Sequence, residues 1–169
     1  MSVDPVRDRR RDRDPEGRAR NARPRDASGR PLPYGESGVE RVPEDLVLSP
    51  ADTVSEAQRL LDEGLPFQAH EVLEAAWKAS DPATRELWRA LAQLAVGLTH
   101  AQRGNSRGAM SLLERGADGI ARWVGDAPAG LDLPGIQQHG FALAECIERS
   151  GTGSLTAADL APALRARAR

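Results

Sequence analysis

The stretch PFQAHEVLEAAWKA, Pro66 to Ala79, decides how this chain is read. Pro66 suits a first helical turn, where a missing N–H leaves no intrahelical bond unmade. Helical residues turn by about 100° each, so positions four and seven apart share a face. His70, Glu74 and Trp77 therefore line up on one side, with Glu71 on the flank nearer Phe67 and Lys78. The Asp81-Pro82 pair ends the helix just beyond Ala79.

Working outward, four more helices are expected. Upstream, one runs from about Thr53 to Glu63, with Val54, Ala57, Leu60 and Leu61 as its apolar stripe. Thr53 and Glu56 are spaced for a capping box, and Gly64 supplies the stop. Downstream, the longest and most apolar helix spans about Pro82 to Arg103, with Leu87, Leu91, Leu94 and Leu98 on one side and Trp88, Ala92 and Ala95 on an adjacent one. A helix apolar over so much of its circumference belongs at the centre of a bundle.

Gly104-Asn105 suits a left-handed C-terminal cap. The fourth helix, about Ser106 to Val124, carries Met110, Leu113, Ala117, Ile120 and Val124, while Gly108, Gly116 and Gly119 allow close helix approach. The fifth, about Leu133 to Ser150, buries Ile136, Leu143, Ala144 and Ile147, and a short sixth starts at Thr156. Alternating strand patterns are missing from the sequence. The fold class is all-α: a compact bundle of about five helices over residues 46–150, a disordered Arg-rich arm over 1–45 and a C-terminal tail over 151–169.

Composition narrows the class further. Only six residues are aromatic, three of them Trp, so Leu, Ala, Val and Ile fill most of the core and each Trp serves as a packing anchor. Cys146 is the only cysteine, which excludes a secreted disulfide framework and points to a reducing, cytoplasmic setting. No apolar N-terminal stretch suggests a signal peptide. The longest apolar run, Ala90 to Leu98, is interrupted by Gln93 and falls short of the roughly 18 residues a membrane span needs.

The net charge of −2 hides an asymmetry, since residues 1–30 hold ten Arg against six Asp or Glu. Such a segment cannot bury enough apolar surface to offset its ordering entropy. Its Arg residues, spaced with Asp and Pro through positions 7–25, would contact RNA phosphates in one reading. In the other they belong to a solvated tail, because the interspersed acids break any continuous positive track.

Short connections make neighbouring helices antiparallel. His70 and Glu74 are then expected to look across a helix pair toward Gln93 and His100, with Arg103 and Arg107 near one end. The run from Pro66 to Lys78, together with LAQLAVGLTHAQRGN at Leu91 to Asn105 and its continuation through Arg107-Gly108-Ala109, resembles the signature of the domain-of-unknown-function 309 family. The resemblance extends over about Ala57 to Val124. It implies a small helical bundle of the kind found in bacterial, archaeal and plastid-related proteins, and no agreed biochemical role. The matching motif residues are His70, Glu71, Glu74, Trp77, Gln93, His100, Arg103, Gly104 and Asn105.

Three chemistries compete for this cluster. In the first, Glu71 and Glu74 pair with Arg103 or Arg107 while His70, Gln93 and His100 complete a buried hydrogen-bond network that fixes helix register. In the second, His70, Glu74 and His100 hold a divalent metal as a two-His, one-carboxylate set and generate a hydroxide. In the third, His70 or His100 acts as a base beside Glu71 or Glu74, and Arg103 and Arg107 clamp an anion.

Familiar metal templates do not fit. A zincin needs His at position 74, which is Glu, and a ferritin-like centre needs Glu at 67 and 97, which are Phe and Gly. The primary expectation is a non-catalytic module that binds a protein partner, a second copy of itself or a small ligand. Glu74, Gln93, Arg103, Asn105 and Arg107 are its candidate ligand-binding residues. The rivals are a metal-dependent hydrolase using His70, Glu74 and His100, and an RNA-associated protein using residues 1–30. His139 is expected to face solvent, and Cys146 to be inert among apolar neighbours.

Overall fold

The computed structural model of the chain describes residue 15 and residues 23–166. Ser49 starts the first helix, α1 (Pro50–Asp62): its hydroxyl accepts from the Asp52 N–H at 3.1 Å, and Pro50 occupies the first turn. The expected capping box at Thr53 is therefore displaced by one turn, and Thr53 is instead buried in the core. α2 covers Pro66–Ala79 as the sequence predicts. α3 (Arg85–Gln102) begins later than expected, because the Asp81 carboxylate accepts from the Thr84 N–H at 3.0 Å and holds residues 81–84 as a turn.

Two caps of one design make the short reversals around the α2–α3 pair. After α1, the N–H groups of Gly64 and Leu65 donate to the carbonyls of Leu61 and Leu60. After α3, Gly104 and Asn105 donate to Ala101 and His100 in the same crossed pattern. Each turns on a glycine with φ near +75°, Gly64 at 75° and Gly104 at 78°, where a Cβ would add strain. Asn105 then serves α4 (Ser106–Ala121) as its N-cap. α4 stops short of Val124, which lies 91% exposed outside the helix.

α5 runs Leu133–Ser150 as expected, capped by Asp132 and preceded by a short 3-10 turn at Pro128–Gly130. In the resulting order α3 packs between α2 and α4, α4 also packs on α5, and α1 packs on α2. The central place expected of α3 is observed. Leu87, Leu91 and Leu98 are fully buried there with Leu73 of α2 and Leu113 of α4. A buried leucine contributes about 1.5–3 kcal/mol of transfer free energy, which makes this layer a main source of stability. Small residues bring α3 and α4 close: a Cβ on Gly97 would fall 2.8 Å from the Leu113 backbone nitrogen, and one on Gly116 would fall 2.8 Å from that of Leu94.

Both flanking segments are tied to the bundle. The expected helix at Thr156 does not form; the Asp159 carboxylate takes the Thr156 N–H at 2.6 Å, and residues 156–161 stay as turns. Past them, Gln58 accepts from the Leu164 N–H at 2.7 Å, and Arg165 donates to the Ala129 and Ala51 carbonyls at 3.0 and 2.8 Å. His139, expected in solvent, is half-buried and donates from Nε2 to the Asp159 carbonyl at 2.8 Å. It holds that segment down. Residues 1–14 and 16–22, nearly half of the expected arm, lie outside the described residues. Residues 23–48 follow α1 and α2 as turns and extended chain, with Val42, Leu46 and Leu48 packed on the core. Among the described residues no helix is long and apolar enough to cross a membrane.

Candidate functional site

The polar face of α2 starts at Phe67, and the chain's own N-terminal segment covers it. The Asp26 carboxylate accepts from the N–H groups of Ser28 and Arg30, both at 2.9 Å, and so shapes a tight turn. Gly29 at its tip, with φ +77°, is buried against the Phe67 ring so closely that any Cβ would enter the ring. The guanidiniums of Arg25 and Arg103 lie 5.0 and 5.7 Å from the ring centroid. Arg103 also donates from Nε to the Ser28 carbonyl at 2.7 Å, and its own carbonyl accepts from Arg30 at 3.0 Å. Burial, with Arg30 and Arg25 nearby, pulls the Arg103 guanidinium below its ordinary pKa.

One turn along, His70 meets the Phe67 ring at 5.8 Å between centroids. Its Nε2 lies 3.6 Å from the Glu74 carboxylate, an ion-pair distance and too long for a hydrogen bond. Glu74 also pairs with Lys78 at 3.0 Å. Burial pushes the His70 pKa down more than Glu74 pushes it up, and Lys78 adds to the depression. The imidazole is therefore neutral near pH 7, with a buried Nδ1 that has no hydrogen-bond partner among the described residues. Burial raises the pKa of Glu71, against the pull of Arg25 and Arg41.

Arg103 on Phe67 at one end and Arg89, 6.0 Å over the Trp77 ring, at the other set the antiparallel register of α2 and α3. The expected meeting across that pair is absent: no hydrogen bond or ion pair joins His70 or Glu74 to α3 among the described residues. His100 turns toward α4. The Asn105 side-chain amide donates to His100 Nδ1 at 2.9 Å while its oxygen caps the Gly108 N–H at 3.0 Å. That pairing assigns the His100 proton to Nε2, since an amide NH2 can only donate. Burial and Arg103 depress the His100 pKa as well. Gly108 leaves the room this needs, because a Cβ there would sit 3.0 Å from Nδ1.

Gln93 lines a different cleft, between α3 and α4, with Arg115 and Arg122. Arg107 is exposed. The set of His70, Glu74 and His100 is thus not gathered into one ligand shell; no group of three or more His, Cys, Asp or Glu suited to a metal occurs among the described residues. Arg103, expected as an anion clamp, is engaged by Ser28, Arg30 and Phe67.

Two features escaped the sequence. The first is the docking turn at Arg25 to Arg30, which the arm's composition conceals. The second is a cavity of about 740 Å³ between residues 39–48 and the α1–α2 pair. Val42, Leu46, Leu60 and Val72 supply the apolar part of its lining, Glu40, Arg41, Asp52, Glu56, Arg59 and Glu63 the charged part, and Gln68 of α2 lines it too. Gln68 is 3% exposed, and its Oε1 has no hydrogen-bond partner among the described residues. At the rim Arg59 is neutralised by Glu56 and Glu63, each at 2.7 Å.

No curated protein and no solved structure matches the chain. A family model does, over a segment that begins in α1, contains α2 and α3 whole and ends within α4. Residues 54–112 match the family described as Domain of unknown function (DUF309), so this helical segment of the chain is similar to that family.

Proposed function

We propose that this domain is a non-catalytic binding module that takes a small, mostly apolar ligand carrying a hydrogen-bond donor into the cavity beneath residues 39–48. One observation carries the reading: a buried glutamine, Gln68, lines a cavity of about 740 Å³ and leaves its amide oxygen without a partner. Buried polar groups are almost always hydrogen-bonded, and an unmet acceptor costs about 1–3 kcal/mol. A ligand N–H or O–H would recover that cost once the Gln68 side chain turns its oxygen, which is closed to the cavity, toward the ligand. The volume lies within the roughly 300–1,000 Å³ typical of small-molecule sites, and the apolar lining suits an acyl or ring body. The charged part of the lining, Glu40, Asp52, Glu56 and Glu63 against Arg41 and Arg59, is net negative and disfavours an anion.

Binding without catalysis fits the polar face of α2. His70 stands 3.6 Å from Glu74 with its other nitrogen buried, and Arg103 is committed to Phe67 and Ser28. These groups secure the N-terminal segment whose continuation roofs the cavity. The test compares two probes of similar size on the full chain. Octanamide, which donates, should raise the melting temperature in a saturable way, and methyl octanoate, which only accepts, should do so far less. In Gln68→Leu the preference should vanish. Equal shifts by both probes in the wild type, or an unchanged preference in Gln68→Leu, would remove the basis of the proposal.

A further inference from the structure

On the opposite side of α3 lies a cleft that the apolar cavity does not explain. Its volume is about 510 Å³, and it runs between α3 and α4. The floor is bare because the two helices nearly touch: a Cβ on Gly119 would fall 2.7 Å from the Ala90 Cβ. Long side chains form the walls. Arg89 and Gln93 rise from α3, and Arg115 and Arg122, seven residues apart and so on one helical face, rise from α4.

The charge is concentrated here and nowhere implied by composition, since the whole chain carries −2. Three arginines and one carboxylate line it, but Arg89 is engaged by Glu86 at 3.3 Å in an exposed pair and by the Trp77 ring, which leaves Arg115 and Arg122 as the uncommitted cations. Exposed pairs of this kind contribute little. The side chains of Arg115 and Arg122 make no hydrogen bond or ion pair among the described residues, although Glu114 and Asp118 are close by in sequence. Gln93 likewise offers an uncommitted amide.

From this geometry we infer that the α3–α4 cleft is an anion site for a small oligophosphate. Guanidinium forks match phosphate oxygens two at a time, and convergent like charges in a concave site raise the local anion concentration. Gln93 adds a neutral donor to the lining. A cleft of this volume exceeds what a single inorganic anion fills and lies in the small-molecule range. A nucleic-acid backbone would call for a longer track of cations along the surface than the arginines that line this one cleft.

Inorganic tripolyphosphate titrated into the full chain at physiological salt is the direct test, read by calorimetry with sulfate as a control for charge alone. The expected result is saturable one-to-one binding, much weaker for sulfate. Affinity should fall on the order of tenfold or more in the double variant Arg115→Gln, Arg122→Gln, as expected when charge-assisted bonds are lost. Arg149→Gln, on α5 and paired with Glu145, should bind as the wild type does. Because Arg115 and Arg122 are exposed, the double variant should keep its helical circular dichroism and melting temperature. Absent saturation, sulfate binding as tightly, or an equal loss in Arg149→Gln would overturn the assignment. So would binding of single-stranded RNA through the same arginines without tripolyphosphate binding, which would make the cleft a backbone contact.

Discussion

Arg103, just past α3, lies 5.7 Å from the ring centroid of Phe67 on α2 and donates from the same guanidinium to the Ser28 carbonyl at 2.7 Å. One side chain thereby links the α2–α3 pair to a segment 75 residues upstream. Arg25 and Gly29 reach the same ring, so Phe67 is the anchor of the N-terminal segment as well as a residue of the α2 face. The segment that continues from this anchor roofs the apolar cavity.

Removing that anchor should free the segment before it unfolds the bundle. Phe67→Ala should cost about 2 kcal/mol, less than the roughly 3–5 kcal/mol of a fully buried ring because Phe67 is only half-buried. Limited trypsin digestion should cut after Arg25 faster in the variant, with the helical body cut no sooner. Unchanged cleavage at that site would show that the ring does not hold the segment.

Asn105 serves two neighbours at once, capping α4 through Gly108 and donating to His100. Asn105→Ala should destabilise the protein by about 1 kcal/mol or more. Asn105→Asp keeps a cap but replaces the donor with a carboxylate, so it should raise the His100 pKa above its depressed native value. Imidazole proton shifts followed against pH would measure it, and a fall or no change would contradict the contact between position 105 and His100.

Gly97 permits the α3–α4 crossing. Gly97→Ala gains about 1 kcal/mol in helix propensity but sets a Cβ 2.8 Å from the Leu113 backbone nitrogen, which cannot swing aside. Overpacking of this kind costs about 1–3 kcal/mol, so a lower melting temperature is expected. A rise would mean the helices separate freely.

Acid should weaken the fold through histidine before it titrates the carboxylates. The folded pKa values of His70 and His100 lie below the ordinary 6.5, so the unfolded chain binds more protons in the window beneath it. Their contribution is fully present above pH 6.5 and is lost as pH falls toward the folded values. Glu71, raised above 4.5, works the other way: its contribution is present below 4.5 and is lost as pH rises through its folded pKa. Denaturant midpoints measured against pH should decline below 6.5, and His70→Gln should make the decline shallower. A slope unaffected by that substitution would contradict a buried, neutral His70.

The helical order and the α2 boundaries were legible because periodicity, Pro66, Gly64 and Gly104 all act locally. Local signals also misled where two were present, as when Ser49-Pro50 outcompeted Thr53 for the start of α1. The distant attachments left no mark. Ser28, Ala129 and Asp159 accept through backbone carbonyls, which every residue has. The candidate cluster was legible only within α2, where helix geometry brings His70 to Glu74. His100 and Gln93 share a face of α3, but the α3–α4 crossing supplies each with its own surroundings: Asn105 for one, Arg115 and Arg122 for the other. Gln68 gave no signal, because a lone glutamine in a helix reads as surface until the roof above it is seen.

The central claim, a ligand cavity with Gln68 on its wall, is tested most directly by locating a bound probe. Octanamide titrated into the isotope-labelled full chain should shift the Gln68 side-chain amide and the methyl groups of Val42, Leu46, Leu60 and Val72 together, with a single saturating curve. Gln93 and Gly119, across α3, should stay still. Shifts confined to other surfaces, or none at the Gln68 amide, would contradict the account.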